Sequence, residues 1–138
     1  SERLPMHPLY QKADALTADI TDAAAEVLRT VGMGLLESIY SNCLTRELTL
    51  RGHAVTQEKY VEYVYKGKRF GTSLRADLLV DDCVAVELKS IESALRAEHK
   101  MQLLSYLKLL NYPLGLLINF GATSSVRIHR VILKGAAT

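Results

Sequence analysis

Apolar positions keep a helical period up to about residue 50 and a strand period after it. Ile20, Ala24, Val27, Leu28 and Val31 recur at three- and four-residue intervals, as on one buried helical stripe. Asp14 or Thr17 is suited to cap that helix, and Gly32 and Gly34 punctuate the chain beyond it. A second helix is predicted from Leu35 to Leu50, with Leu36, Ile39, Tyr40, Cys43, Leu44, Leu48 and Leu50 as its apolar face and Gly52 as its terminating glycine. Residues 1–12, carrying Pro5 and Pro8, read as a loose lead-in. From Ala54 to Tyr65 the chain is rich in Val and Tyr and reads as a strand. Lys66-Gly67-Lys68 forms a hairpin turn into a second strand, Arg69 to Val80, irregular near Gly71. Asp81-Asp82 turns the chain into a third strand, Cys83 to Lys89, which completes a meander. A helix is predicted from Ser93 to Leu110, ended by Asn111 and Pro113. Leu114 to Phe120 is a strand apolar on both faces, Gly121 to Ser124 a loop, and Val126 to Leu133 an alternating edge strand. The order α-α-β-β-β-α-β-β implies an α/β (α+β) fold, one mixed sheet flanked by helices.

Composition narrows the classes. At 138 residues, 49% apolar and 23% charged, the chain is expected to be one soluble domain over 1–138. A formal charge of +2 leaves any affinity for nucleic acid to a local basic patch. The run Leu114 to Ile118 falls far short of the roughly 20 residues of a membrane helix, and the polar start does not resemble a signal peptide. Cys43 and Cys83 make no CxxC pair; they read as reduced thiols of a cytoplasmic protein, without the paired spacing of a structural zinc site.

Candidate chemistry lies on the second and third strands. In Val84-Ala85-Val86-Glu87-Leu88-Lys89, alternation sends Val84, Val86 and Leu88 one way and Ala85, Glu87 and Lys89 the other. Ala76, Leu78 and Val80 likewise oppose Asp77, which the Asp81-Asp82 turn brings beside Glu87. Two carboxylates repel more strongly as water is excluded, and a divalent cation with oxygen ligands, naturally Mg²⁺, offsets that repulsion. The Leu88 carbonyl lies between Glu87 and Lys89 as a further ligand, and Lys89 is placed to act on a water or on the phosphoryl group. An exposed ion-paired strand face is the competing reading of Asp77, Glu87 and Lys89 taken alone. Gly34, Glu37 and Tyr40 share one helix face, which offers Glu37 as a third carboxylate; His99, Gln102 and Tyr106 share another. Core packing is the competing reading for Tyr40 and Tyr106, and a partly exposed surface place for His99.

Gly34-Leu35-Leu36-Glu37-Ser38-Ile39-Tyr40 matches the G-x-x-E-x-x-Y signature. Further matches are Arg75 to Val80, Val86-Glu87-Leu88-Lys89, Gln102 to Lys108 and Gly115 to Gly121. Over residues 18 to 133 the chain resembles the GxxExxY protein family of the PD-(D/E)XK superfamily. That resemblance implies a restriction-endonuclease-like core and a metal-dependent nuclease site. Asp77 corresponds to the motif Asp, Glu87 and Lys89 to the (D/E)-x-K pair, and Glu37 to a helix carboxylate. Gln102 and Tyr106 correspond to the Q-x-x-x-Y motif of RecB-like exonucleases, while Ala76 stands where the motif's Pro would be. The expected function is Mg²⁺- or Mn²⁺-dependent hydrolysis of DNA or RNA, with metal on Glu37, Asp77, Glu87 and the Leu88 carbonyl. Catalytic roles fall to Glu37, Asp77, Glu87, Lys89, Gln102 and Tyr106, with Tyr40 and His99 positioning substrate. The alternative is a non-catalytic nuclease-fold module that binds nucleic acid or a protein partner, or that forms a homodimer. The hairpin face Val61, Tyr63, Val64 and Tyr65 is a candidate contact region in that case, with core packing as its favoured reading.

Overall fold

A computed structural model of the chain describes residues 5–121 and 125–137. The first helix, α1 (Tyr10–Val31), buries Ala13, Leu16, Ile20, Ala23, Ala24, Val27 and Leu28, the stripe that the spacing predicts. It begins inside the expected lead-in, and the His7 N–H donates to the Ala136 carbonyl, so this part of the lead-in is tied down. Neither expected cap acts as one: Thr17 Oγ1 donates to the Ala13 carbonyl within the helix, and Asp14 pairs with Arg130. Helix α2 (Glu37–Leu50) buries Tyr40, Ser41, Leu44 and Leu48. Leu36, Ile39 and Leu50 are exposed instead, because the helix is covered on one side only. Gly52 (φ 92°) ends α2: its N–H bonds to the Thr49 carbonyl and that of His53 to the Leu48 carbonyl, a left-handed terminus that a glycine adopts without strain.

The meander is β1 (Val55–Tyr65), β2 (Lys68–Val80) and β3 (Val84–Lys89). Lys66 and Gly67 both have positive φ, as a tight two-residue hairpin turn requires. The irregularity expected near Gly71 is present: pairing jumps from Tyr60↔Arg75 to Glu62↔Gly71. Helix α3 (Ala97–Leu110) starts later than its sequence pattern suggests; Arg96 occupies the cap position and residues 93–95 are irregular. Asn111 in the left-handed region (φ 55°) ends it. The sheet is completed by β4 (Leu114–Asn119), which is parallel to β3, and β5 (Arg127–Ile132), antiparallel to β4. Strands lie in chain order β1-β2-β3-β4-β5. Most of the loop expected between β4 and β5, residues 122–124, lies outside the described residues.

The sheet separates two apolar layers. Leu78, Val80, Val84, Val86 and Leu88 pack with α1 and α2, whereas Leu79, Ala85 and Leu117 pack with Leu103, Tyr106 and Leu107 of α3. Alternation assigns these faces correctly on β3. Ala76 departs from it and joins the α3 layer, next to the irregular stretch of β2. A Cβ on Gly115 would meet Leu103 at 2.9 Å and the Ala85 carbonyl at 3.1 Å, so glycine there lets α3 lie close on the sheet. No helix among the described residues is long and apolar enough to cross a membrane.

A polar cluster joins α1, the end of α2 and the β2–β3 turn. His53 bonds to Asp81 at 2.7 Å through Nδ1 and to Asp19 through Nε2, while Arg51 pairs with Asp19, Asp22 and Glu47. Burial opposes a charge on His53, but the hydrogen bonds to Asp19 and Asp81 outweigh it and raise its pKa above the usual 6.5. Asp19, hydrogen-bonded to His53 and Arg51, is held below the usual 3.8; Asp81 is too, since bonds to the Ala54 N–H and His53 outweigh its burial. The imidazolium contribution is therefore complete below pH 6.5 and is lost as pH rises through the raised pKa. The carboxylate contribution is present above pH 3.8 and is lost as pH falls. His53→Gln is expected to cost about 1 kcal/mol at pH 5.5, a modest figure because Asp19 is partly solvated, and less at pH 8. Urea melts of both proteins at the two pH values measure this; a constant difference would rule out a charged His53.

Candidate active site

β2 and β3 pair through only three residues, Leu78↔Val86, Leu79↔Ala85 and Val80↔Val84. The same register places Asp77 opposite Glu87, where the strands have parted. There Asp77 Oδ2 accepts the Leu88 N–H at 2.7 Å, so a side chain stands in for the main chain of β2. The N–H and C=O of one strand residue point the same way, so the Leu88 carbonyl also faces this gap. Glu87 is 5% exposed, and its Oε2 has no hydrogen-bond partner. Burial first, then the adjacent Asp77 carboxyl and the charge of Glu37, push its pKa up to about 9 against the opposing pull of Lys89.

These groups open onto a cleft of about 310 Å³ lined by Glu37, Tyr60, Ser73, Arg75, Asp77, Glu87, Gln102 and Tyr106. Gln102 Nε2 donates to the Tyr106 hydroxyl, which donates in turn to the Arg75 carbonyl, each at 3.0 Å. Burial, followed by the nearby Glu87 charge, raises the Tyr106 pKa to about 12, so the phenol stays protonated. Glu37 opens α2 on the exposed rim, where the positive end of the helix dipole favours a carboxylate. Lys89 is half-buried beyond Glu87 and outside the residues that line the cleft.

Two of the expected positioning residues stand elsewhere. Tyr40 is fully buried and stacks on Phe120 with ring centroids 4.2 Å apart. Its hydroxyl donates to the Gly32 carbonyl at 2.7 Å and accepts the Leu35 N–H at 3.1 Å, while Ser90 Oγ donates to the Leu35 carbonyl. It thus holds the loop leading to Glu37 and has no polar atom left for a substrate. His99 spends Nδ1 on the Arg96 N–H at the start of α3 and does not line the cleft. Sequence reasoning missed Tyr60 and Ser73. Tyr60 faces Arg75 across the hairpin, and the break in register hid that pairing.

The profile of the PD-(D/E)XK nuclease superfamily matches residues 14–131, which takes in both helices before the sheet, the meander and the strands after it. The chain belongs to the PD-(D/E)XK nuclease superfamily. The fold is restriction-endonuclease-like, and Asp77, Glu87 and Lys89 occupy the strands of its sheet core. Among solved structures, the crystal structure of SSO0001 is similar, with a TM-score of 0.54 and 19% identity. That alignment covers 91% of this chain and 59% of SSO0001, so the chain spans about three-fifths of that protein's length. At this identity the likeness supports the fold alone. No curated protein matches the chain.

Superfamily nucleases typically use divalent metals, and the donors present suit a hard cation: two carboxylates, one with an unpartnered buried oxygen, beside a main-chain carbonyl. Among the described residues no three His, Cys, Asp or Glu side chains stand together as a metal-holding group.

Because the Glu87 pKa is raised, folded stability falls as pH rises from 4.5 to about 9 in the metal-free protein. In EDTA at pH 7, Glu87→Gln is expected to raise stability by roughly 1–3 kcal/mol, with the two proteins converging near pH 4. Mg²⁺ should then raise the Tm of the wild type and leave that of the variant in place. Thermal melts decide it; a variant less stable than wild type at pH 7 would refute the raised Glu87 pKa.

Proposed function

We propose that this chain hydrolyses phosphodiester bonds in nucleic acid, in a reaction that depends on Mg²⁺ or Mn²⁺ at the Asp77–Glu87 cleft. The observation that carries the reading is the unpartnered, buried Glu87 oxygen beside Asp77, at the one place where β2 and β3 part. An exposed ion-paired strand face, the bland alternative, would not bury a carboxylate there with no partner. Asp77, Glu87 and the Leu88 carbonyl would hold the cation, and Glu37 would support it through water from the rim. Bound there, a divalent cation supplies polarisation of a phosphoryl oxygen and a lowered pKa for a water nucleophile.

The remaining work falls to the chain's own groups. The Lys89 ammonium, two residues from Glu87 on the same strand, sets positive charge against the charge that develops on the phosphoryl oxygens. Tyr106 has committed its proton to the Arg75 carbonyl, and its high pKa makes it a poor acid, so its task is positioning. It orients Gln102, whose amide oxygen has no protein partner among the described residues and is free to hold a water or the substrate. The Arg75 side chain on the cleft wall offers a partner for a phosphate.

The second reading, a non-catalytic module that binds nucleic acid or a protein partner, draws support from the exposed position of Glu37 on the rim, which leaves Asp77 and Glu87 as the acids at the parted strands. Cleavage of labelled single-stranded DNA, duplex DNA and RNA separates the two. With Mg²⁺ or Mn²⁺, Asp77→Asn and Glu87→Gln are expected to lower the rate at least 100-fold, and Lys89→Ala about 10²–10³-fold. EDTA should abolish cleavage in the wild type. Equal rates in wild type and variants would mark a contaminant and end the catalytic reading.

A further inference from the structure

β1 and β2 outrun the rest of the sheet. β3 reaches β2 only at Leu78 to Val80, whereas β1 and β2 stay paired out to Tyr65↔Lys68. The distal part is a two-stranded arm with no third strand beside it. Of the four residues that pattern alone favours as core, only Val61 is buried; Tyr63, Val64 and Tyr65 are exposed, the last two by more than 60%. Tyr63 stacks on Phe70, its partner across the strands, with centroids 5.4 Å apart. Tyr65 lies two positions further along the same face, opposite Lys68. Lys68 Nζ lies 5.2 Å from the centre of the Phe70 ring, and Lys66 Nζ lies 5.4 Å from that of Tyr65.

Charge points the same way. Residues 56–75 hold five cations and two carboxylates, an excess above the +2 of the whole chain. Both carboxylates are engaged, Glu62 by Arg69 and Glu58 by Arg75. Lys59, Lys66 and Lys68 have no carboxylate partner among the described residues. The arm is continuous with the cleft, because Tyr60 and Arg75 face each other at its root and both line the cleft wall.

We infer that the β1–β2 arm, through Tyr63, Phe70, Tyr65, Lys66 and Lys68, is a docking platform for single-stranded nucleic acid. This inference rests on the proposed function in assigning the strand's destination. The exposed Tyr63 and Tyr65 rings, the first backed by the half-buried Phe70, offer flat faces to unpaired bases, and ammonium groups among them meet the phosphates between those bases. A duplex hides its base faces and could use only the lysines. The arm therefore favours single strands over duplexes, and its root delivers the strand to the Asp77–Glu87 cleft.

The test is fluorescence anisotropy with labelled oligothymidylate, oligouridylate and a duplex of equal length, in the Glu87→Gln background to prevent cutting. Tyr63→Ala with Tyr65→Ala is expected to weaken single-strand binding at least tenfold with the salt slope unchanged. Lys66→Ala with Lys68→Ala should weaken it and reduce that slope by about 1–2. Unaltered melting curves would show that both variants are folded. Binding within twofold of the parent, or tighter binding of duplex than of single strand, would overturn the inference. So would a concentration-dependent dimer that the arm variants disrupt, since the arm would then belong to a second copy. Loss of binding in the arm variants, together with no metal-dependent cleavage by wild type, would sink the catalytic reading and leave the arm's role standing.

Discussion

On the β2 side the Leu88 N–H donates its hydrogen bond to the Asp77 carboxylate at 2.7 Å. Continuing the ladder one step further would pair main chain with main chain and close the gap between β2 and β3. The Asp77 side chain holds it open while still satisfying the N–H, so parting the strands leaves no orphaned donor there. Four of the candidate site side chains border that opening. Glu87 is buried against it, Tyr106 and Gln102 reach it from α3, and Glu37 borders it from α2. A buried carboxylate with an unpartnered oxygen destabilises the fold until something pairs with it. The surrounding structure therefore has to be stiff.

That stiffness comes from main-chain contacts around the ends of β3 and β4. Asn119 is buried, and its side chain bonds to the N–H and carbonyl of Ile91 and to the N–H of Gly121. A Cβ on Gly121 would lie 2.5 Å from the Ile91 nitrogen, so only glycine lets the two segments meet. Phe120, next to Asn119, stacks on Tyr40, and the Tyr40 hydroxyl grips the loop that presents Glu37. Glycine, glutamate and tyrosine of the G-x-x-E-x-x-Y segment thus divide the labour. Gly34 (φ 82°) makes the bend, Tyr40 fastens it to the core, and Glu37 alone faces the cleft.

These roles were legible in the sequence to different depths. Strand alternation told which side of β3 each residue takes, since a period of two leaves no third choice; Glu87 and the Val84, Val86, Leu88 face follow from it. Helical spacing placed Tyr40 near Glu37 but could not tell whether its ring points into a cleft or into the core, because both satisfy the same period. The exposure of Leu36, Ile39 and Leu50 was out of reach for a related reason: a stripe of apolar residues marks a face, and only packing decides how much of it is covered. The His53 cluster left no local pattern at all. Its members Asp19, Glu47, Arg51, His53 and Asp81 are spread over three elements and meet only when α1, α2 and the β2–β3 turn come together.

The arm and the cleft are mechanically one piece, and a single hydrogen bond has much to do with it. Tyr106 donates to the carbonyl of Arg75, the residue where β2 leaves its irregular stretch to enter the sheet. Through Tyr106, helix α3 is thereby fixed to the root of the hairpin, beside the cleft that Glu87 lines. Break that bond and the carboxylates would stay on their strands, but the Arg75 and Tyr60 wall would lose its reference to them. The irregularity between Tyr60 and Glu62 takes on meaning in the same frame. A break in register of this kind bends a strand and increases its local twist, and it falls just beyond the anchored residue, so the base of the arm stays registered on the acids.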